Sequence, residues 1–261
     1  MSRLLIFAGA GASVDSGILP FRQEEGRTIW GNEDIERICS FGAWRLAHGH
    51  NDVNAIMHIH NFHKSMQQMI KAAEPNRFHK YVAELAATDG YDVTVVTTNV
   101  DDFFERAGVP GSKIVHLHGS TLRRRCPSCQ YRYEDHTSMW QSPQQIERCP
   151  REKCRSRLVK TDVIFYGEQC PDYIAGIQAF NRLKAGDIAI MVGSSGQTFD
   201  VAQRLWARCR SRRVHTIHIN PSVEPHHLFP ADLSLLDSVS HVLPDLELHM
   251  RIHKSVEHVL E

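Results

Sequence analysis

Five short apolar runs, each closed by turn residues, constrain this chain more than any other feature: Leu4 to Ala8, Val93 to Thr97, Ile114 to Leu117, Ile188 to Val192 and Val214 to Ile219. Their hydrophobicity is near-continuous instead of alternating, which suits strands covered on both faces of a parallel sheet. Helical spacing fills the gaps between them. Phe78, Tyr81, Val82, Leu85 and Ala86 recur on one helical face behind Asn76, a residue suited to an N-cap. Val201, Ala202, Leu205, Trp206 and Cys209 make a second stripe opposite Arg204 and Arg208, with Asp200 near the positive helix start. Strand and helix alternate, so the expected fold class is α/β with a doubly wound parallel sheet.

Two stretches break the rhythm. Residues 31–75 carry a long helical pattern (Val53, Ile56, His60, His63, Ile70), and residues 122–160 hold four of the seven cysteines among many polar residues. The expected division is a Rossmann-like sheet domain from residues 1–30, 76–121 and 161–261, with the helical insertion 31–75 and the cysteine module 122–160 forming a smaller domain. With 30 basic and 30 acidic side chains, the 261-residue chain has no general attraction to nucleic acid or an anionic membrane. The basic runs Arg123 to Arg125 and Arg208 to Arg213 read as solvated faces. No stretch approaches the roughly 20 apolar residues of a membrane span. An odd cysteine count behind an N-terminal run that reads as a buried strand argues for a reducing, cytoplasmic setting.

Three constellations carry chemistry. The first strand runs into Gly9-Ala10-Gly11-Ala12-Ser13, where glycines let the backbone approach a phosphate; a plain tight turn has the same signature. Cys126 and Cys129, then Cys149 and Cys154, make two short pairs that can aim four thiolates at one tetrahedral Zn²⁺. Four sulfurs close the shell, so one structural metal per chain is expected, with Cys39, Cys170 and Cys209 as packing residues. Just beyond the second and third strands lie Thr98-Asn99-Val100-Asp101 and His116-Leu117-His118-Gly119, where a doubly wound sheet lines its ligand crevice. His60 and His63, one turn apart, read as satisfied histidines of the small domain or as lining of a ligand pocket.

Together these blocks resemble the sirtuin family of NAD-dependent protein deacylases, in the family's order and over nearly the whole chain. Gly9 to Arg22 is similar to Gly-Ala-Gly-x-Ser-x-x-Ser-Gly-Ile-Pro-x-Phe-Arg, Thr98 to Asp101 to Gln-Asn-Ile-Asp, and His118-Gly119 to the catalytic histidine and its glycine. Val163-Ile164-Phe165-Tyr166-Gly167-Glu168 resembles the strand that pairs with the acyl-lysine peptide. Gly193-Ser194-Ser195 resembles the phosphate and ribose loop, Ile219-Asn220 the adenosine site, and Val242-Leu243-Pro244 the closing element. The resemblance implies that Gly9, Ala10, Gly11, Ser13, Phe21, Arg22, Thr98, Gly193, Ser194, Ser195, Asn220 and Val239 bind NAD. It also implies that Asn99 and Asp101 hold the nicotinamide and that His118 is the general base. The implied products are nicotinamide, free lysine and O-acyl-ADP-ribose, the substrate being an acylated lysine in a protein or peptide.

The chain departs from the family pattern at Leu19-Pro20, Thr98, Tyr166 and Gly196-Gln197. Thr98 stands where the family has Gln and is shared with sirtuin-like NAD-cleaving proteins of bacterial defence. NAD hydrolysis or ADP-ribosyl transfer in the same pocket is the alternative activity, and an NAD-sensing regulatory module the alternative without turnover. No Tyr occurs in residues 31–75, so the Tyr-x-x-Arg pair of malonyl- and succinyl-removing members is absent.

Overall fold

The computed structural model describes residues 1–18, 38–88, 90–196 and 199–260, with side chains as far as residue 253. In chain order the strands are β1 (Ser2–Ala8), β2 (Tyr91–Thr97), β3 (Ile114–His116), β4 (Gly119–Arg125), β5 (Arg132–Glu134), β6 (Lys160–Val163), β7 (Ile188–Val192), β8 (His215–Ile219) and β9 (Leu233–Leu235). The helices are α1 (Phe41–Gly49), α2 (Val53–Ala72), α3 (Arg77–Ala87), α4 (Phe103–Ala107), α5 (Tyr173–Asn181), α6 (Ala202–Ser211), α7 (Val223–Leu228) and α8 (Val239–Leu260). Six strands form one parallel sheet in the order β3-β2-β1-β7-β8-β9. All five expected strands are in it.

The period-two geometry of a strand explains why those runs are apolar throughout. Leu4, Ile6 and Ala8 point to one face and pack with Phe78 and Val82 of α3 and with Leu243, Leu246 and Met250 of α8. Leu5 and Phe7 point to the other, against Phe180 of α5 and Leu205, Trp206 and Cys209 of α6. Asn76 caps α3 as expected, its Oδ1 accepting from the N–H groups of Phe78 and His79 while His79 Nδ1 accepts from Asn76 N–H. Such a cap contributes about 1 kcal/mol.

A second, three-stranded antiparallel sheet, β5-β4-β6, underlies the cysteine module. Here the structure corrects the reading of Arg123 to Arg125 as a solvated face. Arg124 and Arg125 are 0% and 1% exposed. Arg125 Nε lies 3.0 Å from Asp162, which Arg123 and Arg132 also approach at 3.3 and 3.1 Å, and Arg124 Nε lies 3.0 Å from Glu147. Opposite charges replace apolar packing in this small sheet, because a buried guanidinium persists only when it is paired.

The insertion 31–75 is described from Ile38 onward. Ile56 and Ile59 of α2 and Trp44 of α1 share an apolar cluster with Trp140, Val163 and Phe165, so the helices pack on the cysteine module. His60 and His63 are buried and bonded, His60 stacking on Trp140 at 3.6 Å between ring centres and His63 on Phe165 at 5.0 Å. Among the described residues no helix is long and apolar enough to cross a membrane.

Candidate active site

Strand order runs outward from β1 through β2 to β3 on one side, and through β7, β8 and β9 on the other. Strand order therefore reverses between β1 and β7, and in a doubly wound sheet the carboxyl ends of the strands at such a reversal are where the ligand crevice lies. Gly9 to Gly11 leaves β1 and enters a 3₁₀ helix, Ala10–Ser16, closed by Gly17. Gly193 leaves β7 beside it. Gly9 N–H donates to Val192 O and Gly11 N–H to Gly193 O, both at 2.9 Å. Gly193 has φ +57°, and a Cβ there would come 2.4 Å from Gly11 Cα, so both turns require glycine. Ser194 is buried and Ser195 exposed, and Asn220, at the end of β8, donates from Nδ2 to Ser194 O at 3.3 Å.

The loop after β2 brings Asn99 and Asp101 onto the glycine turn. Asn99 Nδ2 donates to Gly9 O at 3.0 Å and to Ser13 Oγ at 3.1 Å, and Ser13 Oγ donates to Asp101 Oδ2 at 2.9 Å. Thr97 Oγ1 accepts from Asn99 N–H, and Thr98 N–H donates to Ala8 O. Asp101 is 5% exposed, and burial pushes its carboxyl up to about 6, opposed by the Ser13 hydroxyl, the Phe103 N–H and His116. The group is ionised at neutral pH and protonates within a mildly acidic range.

His118 lies half-buried in the tight turn between β3 and β4. The following Gly119 has φ +78°, and a Cβ on it would collide with Asp162 O. The same turn is tied to the segment that follows β6, Ile164 N–H donating to His118 O at 2.9 Å. The segment expected to be a strand over Val163 to Glu168 is one only at Val163, where β6 ends. Beyond it Tyr166 forms an isolated bridge with Ser40: its N–H donates to Cys39 O and its carbonyl accepts from Phe41 N–H. Glu168 fixes the turn, its carboxylate accepting from Phe165 N–H and pairing with Arg125 and Lys160.

The four cysteines converge as their spacing predicts. Their sulfurs all lie within 4.8 Å of one another, with Cys126 3.7 Å from Cys154 and Cys129 3.6 Å from Cys149. Each pair closes on a left-handed residue, Gln130 at φ +58° and Arg155 at φ +48°. The donor set is thiolate only, which suits a closed tetrahedral Zn²⁺ site. Of the other cysteines, Cys39 and Cys209 are buried, whereas Cys170 is partly exposed and donates to Leu117 O.

Leu19, Pro20, Phe21, Arg22 and Gln197 lie outside the described residues. Val239 is buried in the sheet core at the start of α8. Thr97, Asn76 and His116 are singled out by the sequence, but not the contacts they make here: Thr97 Oγ1 with Asn99 N–H, Asn76 Nδ2 with Ala12 O at 2.8 Å, and His116 with Glu105, a residue the sequence does not single out. Glu105 alone had no sequence signal; Asn76 had its N-cap position and His116 its place in His-x-His.

The family model described as the Sir2 family matches residues 9–200. An NAD-dependent protein deacylase of Pyrococcus furiosus is 32% identical over 254 residues, covering 96% of this chain and 94% of that protein. One of Thermococcus kodakarensis is 32% identical over 247 residues, covering 93% and 88%. Among solved structures, a Sir2 homolog–NAD complex superposes with TM-score 0.76 at 28% identity, covering 97% of this chain and 91% of that one.

Proposed function

We propose, because the chain belongs to the Sir2 family, that it is an NAD-dependent protein lysine deacylase releasing nicotinamide, deacylated lysine and O-acyl-ADP-ribose. The observation that carries this reading is the bonded group Ser13–Asn99–Asp101, packed onto the Gly9 turn at the strand-order reversal. NAD supplies the reaction with a glycosidic bond that breaks when nicotinamide leaves. Asn99 and Asp101 offer a carboxamide and a carboxylate to the nicotinamide amide, with Ser13 holding Asp101 in place. Gly9, Ala10, Gly11, Gly193, Ser194 and Ser195 would hold the phosphates and riboses, with Thr98 beside them and Asn220 toward the adenosine. Phe21, Arg22 and Val239 complete the set by resemblance alone.

His118 is the general base that takes a proton from a ribose hydroxyl, as an imidazole suits near neutral pH. The acyl-lysine peptide binds as an added strand along Val163 to Glu168, whose turn Glu168 braces; because Ile164, Phe165 and Tyr166 already donate their N–H groups within the chain, the pairing uses the remaining backbone groups of this segment. Cys126, Cys129, Cys149 and Cys154 hold one structural zinc, and the helical insertion and cysteine module form the smaller domain. A cytoplasmic setting keeps those thiolates reduced. Thr98, in place of the family's Gln, favours a second reading in which water or another acceptor replaces the acyl oxygen.

The test is His118→Ala. Deacylation falls to background while NAD affinity stays near wild type, because a general base acts on the transition state more than on ground-state binding. Loss of NAD binding in that variant contradicts the assigned role.

A further inference from the structure

His116 ends β3 two residues before His118, and its ring is clamped from two sides. Its Nε2 lies 2.7 Å from Glu105 Oε1, and its Nδ1 lies 3.4 Å from the carbonyl oxygen of Asn99. Glu105 belongs to α4, which begins directly after the Asn99–Asp102 turn. The strand before His118 and the helix after Asp101 thus grip that turn together. Both partners of the ring are acceptors. A neutral imidazole carries one N–H and satisfies one of them, whereas an imidazolium carries two and satisfies both. At 9% exposure water is a poor substitute, so the geometry itself selects the charged ring.

We propose that His116 is a positioning residue for the reaction: as an imidazolium held between Glu105 and the Asn99 carbonyl, it fixes the Asn99–Asp101 turn and supplies the buried positive charge facing Asp101. The inference rests on the assignment of Asn99 and Asp101 to nicotinamide. The surrounding charges agree with it. Burial works against the His116 cation, but the Glu105 carboxylate outweighs burial and holds the ring above its ordinary value, with Arg123 opposing. Asp101 faces Ser13 and the Phe103 N–H as donors, His116 as a cation and Asp102 as a repelling carboxylate. Asp102 has Arg106 at 3.9 Å. Asp101 titrates near 6, so turnover that requires its carboxylate has an acid limb there. Removing the neighbouring cation makes Asp101 harder to ionise, so the limb moves toward higher pH.

The experiment is the pH profile of kcat/KM for NAD in wild type, Glu105→Gln, His116→Gln and the double variant. The expected result is an acid limb moved up by about one pH unit in each single variant. The double variant moves no further than the larger single, because the pair acts as one unit. A plateau lowered at every pH with an unmoved limb overturns the proposal, as do additive shifts. Should His116→Gln fail to fold, Glu105→Gln alone carries the test, because the Glu105 side chain is 34% exposed. The second readout needs no turnover: the His116 ring proton resonance titrates above the ordinary histidine range in wild type and drops in Glu105→Gln. A dropping resonance in a protein with no NAD-dependent turnover refutes the nicotinamide assignment and keeps the clamp, whereas an unchanged resonance refutes the clamp.

Discussion

Gly193 lies so close to Gly11 that the turn leaving β7 and the turn leaving β1 form one wall of the crevice, with a Cβ on Gly193 placed 2.4 Å from the Gly11 Cα. Gly193→Ala adds both that collision and a strained backbone at φ +57°. The expected cost is about 2–4 kcal/mol in urea unfolding, with loss of the thermal protection given by NAD. Unchanged stability would mean that the two turns do not share a wall.

The large sheet was legible because both its faces are covered. Leu4 and Ile6 serve one core and Leu5 and Phe7 the other, so the runs stand out against helices of different period. The small sheet was not legible, because its interior is charged. Asp162 gathers Arg123, Arg125 and Arg132, and Arg125 also reaches Glu168, pairings between distant chain positions that hydropathy cannot register. β9 has three residues, Leu233–Leu235, too few for a pattern. The cysteine site could be read from local spacing alone. Ser13 and Asp101 stand 88 positions apart, and their hydrogen bond exists only once β1 and β2 are neighbours. His116 stands in the same block as His118, but its partner Glu105 is 11 positions away on a helix and leaves no local pattern.

The cysteine cluster carries a second prediction. Elemental analysis should find about one zinc per chain, as a closed Cys₄ site holds one ion. Cys149→Ser removes a fully buried ligand and should lose both the metal and part of the melting temperature. Full zinc content in that variant would rule out the four-sulfur site.

A third prediction concerns acid stability. His79 is 0% exposed and accepts Asn76 N–H at Nδ1, and burial pushes it from 6.5 down to about 4. Below pH 6.5 the unfolded chain binds this proton and the folded one does not. Its stabilising effect is therefore complete above 6.5 and declines as pH falls toward 4, by about 1.4 kcal/mol per pH unit. His60 and His63, pushed by burial to about 3 and about 4, add slopes of the same sign. Urea midpoints for wild type and His79→Leu between pH 7.5 and 5 check this, the variant showing the shallower decline. Parallel declines would show that His79 is not the group that titrates.

The central claim is that this crevice couples NAD cleavage to removal of an acyl group from lysine. Its most direct test is to incubate the pure protein with NAD and an acetylated peptide and quantify the products by mass spectrometry. The account predicts O-acetyl-ADP-ribose and deacetylated peptide in equal amounts, with no NAD consumed when peptide is left out. Free ADP-ribose formed at the same rate with and without peptide would contradict it.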